Sequence, residues 1–413
     1  MVNDITNNYI SLIFKQIIMS KLFAKQAVLT GLLLLFGAKA SATVATWDGS
    51  TSVTVSGTNT DWNAIASTGV QVSSQSGGTN LTSNYRSGDY YDLQFGFKSG
   101  VGAKGYIRAT ADLSVEIAFS AAPSVGQSTT LTVDGHPYTL NKTSVTTVFL
   151  DMTAGTAYEL TANVAFVIRS VTSYTADELV VFDDTQSKAS NEALLSNTGK
   201  SRVKLKRTLQ AGIWNTLCLP VNLSAANLQK QLGVSNVYEM DGFSDNTITF
   251  KAATSITRFK PYLIKPENIV VNPILTGSNN LTSNGLATNS TVTSGDLSFV
   301  SVLGSENIYT TGDDTSTKFY LNTKGDLVYP TSNSGNNGTI KGLRAYFEWV
   351  GGGSVKDFGI AFDDDPTGIY SLQKDIFSEN GNIYTLDGRY MGSDETRLAP
   401  GLYIKNGRKF SVK

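Results

Sequence analysis

The sequence predicts an all-β protein: a jelly-roll-like sandwich, a second β-rich domain with one short helix, and a small C-terminal β-hairpin domain. Three observations lead there. Thr, Val, Tyr and Phe, which favour strands, are interleaved with Gly, Asn, Asp and Ser, which punctuate turns. Short segments alternate apolar and polar with period two over most of the length. Charged residues make up only 16% of the 413-residue chain, while Ser, Thr, Asn and Gly are abundant. The chain is long enough to bury one or two cores.

The leader comes first. From Met19 the chain reads MSKLFAKQAVLTGLLLLFGAKASA, with Lys21 and Lys25 ahead of an apolar stretch from Ala27 to Phe36. Ala40-Ser41-Ala42 then supplies a small-x-small cleavage site, so residues 1–42 read as leader and signal peptide. The apolar core from Val28 to Phe36 falls well short of the roughly 20 residues a membrane-spanning helix requires, and no span is expected in the mature chain. Residues 1–18 read as an upstream extension, and no Cys stands at the cleavage site to carry a lipid. Without residues 1–42 the chain loses four Lys and one Asp, leaving 29 basic against 33 acidic groups. A net −4 argues against a nucleic-acid partner, which needs a basic field.

Residues 43–186 read as the sandwich. In DYYDLQFGFKS, Tyr91, Leu93, Phe95 and Phe97 fall on one side, with Tyr90, Asp92, Gln94 and Lys98 on the other. DLSVEIAFS repeats the pattern, with Leu113, Val115, Ile117 and Phe119 inward and Ser114, Glu116 and Ala118 outward. TLTVDGHPYTL reads as a hairpin turning at Asp134-Gly135. AGTAYELTANVAFVIRSVTSY supplies two further strands. Gly155, Tyr158 and Leu160 at one strand entry, and Ile168 to Thr172 closing the next, resemble the closing strands of jelly-roll carbohydrate-binding modules. That resemblance implies a glycan ligand.

Residues 187–200 read as a polar linker. Residues 201–368 read as the second β-rich domain. Its one helix is capped by Ser224, ended by Gly233 and docked through Leu228 and Leu232. Its strands fall in VYEMDGF, TITF, FKPYLIKP, KFYLNTKGDLVY and GLRAYFEWVGGGSVKDFGIAFDDD, the last read as a hairpin around Gly351 to Ser354. The series WNTLCLP, PYLIKP and LRAYF resembles an uncharacterised domain of exported proteins from Bacteroidetes-type bacteria, and carries no chemistry with it.

Residues 369–413 form the last unit. Ile383, Tyr384 and Leu386 make one strand, Leu398 to Ile404 a second, and Asn406-Gly407 a two-residue hairpin turn. The last twelve residues, LYIKNGRKFSVK, carry four basic groups and no acid. Tyr384, Leu386, Gly388, Arg389, Gly401, Tyr403, Ile404 and Lys413 resemble the sorting domain of the type IX secretion system, although the first strands of that domain are compressed here. The resemblance implies secretion machinery as a partner, and a chain that is secreted or held on the outer surface of a Gram-negative bacterium. An ordinary final hairpin with edge-protecting lysines is the second-ranked account of the basic residues.

Reactive chemistry finds little support. Cys218 is the only Cys, so no internal disulfide forms; between two leucines it reads as a core residue. His136 is the only His and lies in the hairpin of the other domain, which disfavours Cys–His and Ser–His pairs and zinc. No phosphate loop or dinucleotide fingerprint occurs, and no cofactor or metal is expected. Two carboxylates suffice for glycoside hydrolysis, so Glu239, Asp241 and Glu348 stay open as a third reading. Asp363 to Asp365 reads as a solvated turn rather than a calcium loop.

Aromatic surface remains. Trp62, Tyr85 and Tyr90, with Asp92 and Gln94 to bond hydroxyls, are the expected ligand-binding residues. Sugars stack their C–H faces on rings while polar side chains hold the hydroxyls. Trp47 reads as core. The leading expectation is a noncatalytic binding or adhesion protein that takes a polysaccharide or a host or bacterial surface glycan. The alternative is a structural surface or matrix component.

Overall fold

The computed structural model describes residues 44–412 apart from 56–60, 75–80, 88–89, 97–101, 124–125, 127, 197–201, 278–280, 282–289, 309–316, 323–326, 331–337, 352–357, 364, 372–382, 386–388, 393, 395–396 and 406–407. Only the backbone is described for 85–87, 365–371, 405 and 408–410. The expected leader, with Ala40 and Ala42, lies outside the described residues.

The chain is all-β, as its period-two alternation predicts. Among the described residues its first unit has twelve strands: β1 (Ala45–Trp47), β2 (Asn63–Ala64), β3 (Val70–Ser73), β4 (Leu81–Ser87), β5 (Tyr90–Phe95), β6 (Ala103–Ala109), β7 (Leu113–Ala121), β8 (Ser128–Val133), β9 (His136–Asn141), β10 (Thr146–Met152), β11 (Ala157–Ala162) and β12 (Phe166–Tyr174). One antiparallel sheet runs β10-β7-β12-β5-β4, with β1 also on β12; the other runs β2-β3-β6-β11-β8-β9. From β5 to β12 the chain crosses between the sheets at every step except the β8–β9 hairpin. Both sheets feed one core, in which Phe95 and Phe166 stack at 4.8 Å beside Ile107, Ile117, Leu131 and Leu160. At the β8–β9 turn Asp134 and Gly135 both have positive φ, as a two-residue hairpin requires. Trp47 is core, as expected.

The second unit begins at the strand Val180–Asp183, which pairs in parallel with Arg202–Lys206. That strand falls inside the stretch expected as sandwich, and the stretch expected as a linker starts with a helix. Ser187 caps the helix Lys188–Ala193, and Asn191 is buried with its amide on the carbonyls of Asp183 and Leu303. Polar composition concealed this helix, because its anchor is an amide rather than an apolar stripe. The second helix, Ala225–Leu232, has its Ser224 cap, its left-handed Gly233, and Leu228 and Leu232 buried.

A six-stranded and a five-stranded sheet complete this unit around Phe250, Phe299, Phe319 and Phe347. The hairpin expected at Gly351 to Ser354 does not form. Arg344–Trp349 lies in the five-stranded sheet, while Gly359–Phe362 crosses to the other and pairs in parallel with Thr247–Ala253.

Among the described residues the last unit is a four-stranded sheet around Ile383, Leu398 and Tyr403. Arg408 follows Lys405 in register, closing the expected terminal hairpin. No helix among the described residues is long and apolar enough to cross a membrane.

Candidate functional site

Strand β6 reads AKGYIRA, and its burial alternates strictly. Ala103, Gly105, Ile107 and Ala109 face the core, which leaves Lys104, Tyr106 and Arg108 on the outer face of their sheet. Register sets Gln71 of β3 on one side of Arg108, and Glu159 of β11 beside Tyr106. The Arg108 guanidinium lies 4.1 Å from the centre of the Trp62 ring and donates through Nε to Gln71 at 2.8 Å. Lys104 sits 5.4 Å over the Tyr106 ring and pairs with Glu159, which also accepts from the Tyr106 hydroxyl at 3.4 Å. The hydrogen bond to Glu159 holds the Lys104 ammonium above its ordinary pKa, with Tyr106 adding to it. Two rings, two cations, an amide and a carboxylate thus share one outer sheet face.

Of the expected ligand-binding residues, the structure brings only Trp62 to this face. Tyr90 belongs to the other sheet and is 44% exposed. Tyr85 stands opposite Tyr91 in β4 by its backbone, and its side chain lies outside the description. Asp92 and Gln94 were expected outward and are buried. A bulge in β12 at Arg169 accounts for the first: the guanidinium turns across the sheet to pair with Asp92 and donates through Nε to Ser120 at 2.8 Å. Gln94 is used up locally, donating to the Gly96 carbonyl at 2.7 Å and accepting from Asn84 at 3.1 Å. Neither is free to bind hydroxyls. Tyr106, Arg108, Gln71, Lys104 and Glu159 were missed, though the alternation of β6 was legible.

The carboxylates are engaged elsewhere. Glu239 pairs with Lys260 and with Lys251 at 3.5 Å, and Asp241 reaches the same Lys251 at 2.9 Å. Burial pushes Glu239 up, but the two ammonium groups outweigh it and hold the carboxyl below its ordinary value. That is the opposite of what a general acid needs. Glu348 lies 4.0 Å from Lys318. Cys218 is fully buried, and burial pushes its thiol up to about 12. His136 opens β9 opposite Val133. Asp363 accepts from the Ala252 amide at 3.1 Å, and no cluster of three or more His, Cys, Asp or Glu side chains able to hold a metal ion occurs among the described residues.

In the last unit, Tyr403 is buried and donates to the Ala399 carbonyl at 2.9 Å. Ile404 is half-buried, Gly401 opens its strand, and Tyr384 and Arg389 are exposed. The Arg389 amide donates to the Thr385 hydroxyl at 3.0 Å, closing the corner. Leu386, Gly388 and Lys413 lie outside the described residues.

No protein-family profile matches this sequence, and no curated protein does. Among solved structures there is weak resemblance to carbohydrate-binding modules and glycoside hydrolases. The CBM22-1 and GH10 modules of Clostridium thermocellum endo-1,4-β-D-xylanase 10B, complexed with xylohexaose, match at 13% identity over 44% of this chain and 40% of that one, with a TM-score of 0.19. The CBM35 of Cellvibrio japonicus Abf62 matches at 12% identity over 32% of this chain and 94% of its own, at 0.14. The glycoside hydrolase domain of Endo-D from Streptococcus pneumoniae matches at 11% identity over 70% of this chain and 38% of its own, at 0.18. The chain thus spans less than half the length of the first and third. Likeness this slight assigns neither family nor ligand.

Proposed function

We propose that this is an exported, noncatalytic binding protein that holds glycan on the outer β6 face of its first unit. The observation that carries the reading is the alternation of β6, which sets Tyr106 and Arg108 beside Trp62 on a sheet whose other face is core. Rings accept the apolar face of a sugar, and the fixed guanidinium, amide and carboxylate around them supply donors and acceptors for hydroxyls. Carboxylates paired to lysines at Glu239 and Asp241 support binding over hydrolysis.

The test is a polysaccharide array probed with the mature chain and with Trp62→Ala and Tyr106→Ala variants. At least one glycan is expected to bind, and each variant to weaken it by about tenfold or more, on the scale of one lost stacking contact with its hydrogen bonds. Silence across a broad array would remove the reading and favour the structural matrix alternative. Reducing-sugar release from mixed polymers, abolished by Glu239→Gln, would instead restore the hydrolase.

The signal-like leader and sorting-like tail support delivery to the cell surface or beyond. Deletion of residues 369–413 is expected to strand the protein in the periplasm, read by cell fractionation. Undiminished release of the truncated chain would show that the tail is only a structural cap.

A further inference from the structure

A recess lies where the first two units meet. It encloses about 580 Å³ between the β9–β10 turn of the sandwich, at Asn141 and Ser144, and the second unit. That is within the range of about 300–1,000 Å³ typical of small-molecule sites. Its floor is aromatic. Trp214 stacks on Phe362 at 4.2 Å, and Tyr238 meets both rings edge-on at 5.1 Å. The ammonium of Lys265 lies 5.6 Å from the Trp214 ring, and Glu267 stands two residues on. Gln229 and Asn236, on and just beyond the helix Ala225–Leu232, complete the wall. The Trp214 indole N–H is buried and meets no acceptor among the described residues.

We infer that this recess is a binding site for a neutral oligosaccharide of about two or three rings, separate from the β6 face. The lining holds one cation and one anion, so no net charge selects an ionic ligand. Its neutral groups, Asn141, Ser144, Gln229, Ser235 and Asn236, each both donate and accept, which matches hydroxyls, and Ser235 already donates to Gln229 at 3.1 Å. The ring cluster supplies the apolar surface that a sugar's C–H face needs. Because the walls come from two units, an occupant ties them together and raises the melting temperature, since it binds only the assembled form. The inference shares its class of ligand with the glycan reading above, but rests on different residues.

The experiment is calorimetric titration of the full chain with cellotriose, xylotriose, maltotriose and mannotriose, alongside thermal melts. Three proteins are compared: wild type, the doubly substituted Asn236→Ala/Lys265→Ala, and Trp62→Ala. The pocket substitutions sit at partly or fully exposed positions and spare the ring cluster. At least one trisaccharide is expected to bind wild type and Trp62→Ala alike, to raise both melting temperatures, and to bind the double variant about tenfold more weakly or worse. Absence of heat with all four sugars overturns the inference, as does unchanged affinity in the double variant. Affinity lost only in Trp62→Ala also overturns it, while leaving the β6 face standing.

Discussion

Gly105 occupies the core side of β6 directly under Phe95, and a Cβ at that position would fall on Cδ1 and Cε1 of the ring. Phe95 is itself held by stacking on Phe166, so the ring has no room to retreat. Gly105→Ala is therefore an overpacking change, expected to cost about 1–3 kcal/mol in urea unfolding. It would also tilt β6, so glycan affinity at Tyr106 and Arg108 should fall with it. Glu239 makes a pH-dependent contribution of definite sign. Burial raises its pKa, and Lys260 and Lys251 lower it further than burial raises it, so the folded value lies below the ordinary 4.5. A carboxyl with a depressed folded pKa stabilises fully above its unfolded value, and that contribution disappears as pH falls through the folded one. The difference in melting temperature between wild type and Glu239→Gln should thus be largest above about pH 4.5 and close toward zero in stronger acid. A difference that widens in acid would show that the lysine pairs do not govern this carboxyl.

Among elements, the helix Ala225–Leu232 was legible because all its signals are local. Ser224 accepts from the Asn227 amide at 3.4 Å, Gly233 adopts the left-handed cap at φ 68°, and Leu228 and Leu232 are fully buried. Ser224→Ala is expected to cost about 1 kcal/mol, read by chemical denaturation. Strands β5 and β7 were legible for the same reason, since period two needs only near neighbours. The fates of their outward residues were not, because those depend on partners far along the chain. Asp92 is buried by Arg169, 77 residues away, through a bulge that no local pattern announces. Glu116 was expected outward and is buried under Tyr174 and Lys230. Trp349 and Gly359 were read as two arms of one hairpin because only Gly-rich chain separates them, yet parallel pairing to Thr247–Ala253 draws the second arm into another sheet. Alternation reports that a face exists. What covers that face is decided by tertiary contacts.

At the scale of the molecule, the outward side of the β10-β7-β12 sheet is an interface rather than a surface. Phe149 and Tyr174 leave the sandwich core and join the second unit's hydrophobic cluster, beside Leu228 and Leu232. Around them Lys230 reaches Glu116 at 2.9 Å, and the buried Lys204 meets both Asp151 and, at 3.0 Å, Ser114. Asn272 donates to Asp151 at 3.2 Å, and Asn268 clamps the edge of β9 through the amide and carbonyl of Thr139. Burial, and then the neighbouring Glu116 carboxylate, push the Tyr174 phenol far above its ordinary pKa, so it remains a hydrogen-bond donor throughout the neutral range. A junction of apolar core ringed by satisfied polar pairs couples the two units, and in scanning calorimetry they should melt in one transition whose calorimetric and van't Hoff enthalpies agree. Phe149→Ala empties the centre of that junction at an expected cost of about 3–5 kcal/mol. Since the side chain leaves the sandwich core to pack into the second unit's cluster, most of the loss should appear as uncoupling, with the single peak splitting into two. The recess at Trp214 draws its walls from both sides of this junction, so its sugar affinity should fall in Phe149→Ala even though no pocket residue is changed. Two peaks in the wild type would mean that the contacts at Glu116, Asp151 and Thr139 touch without coupling, and the ligand-driven rise in melting temperature should then be confined to one of them.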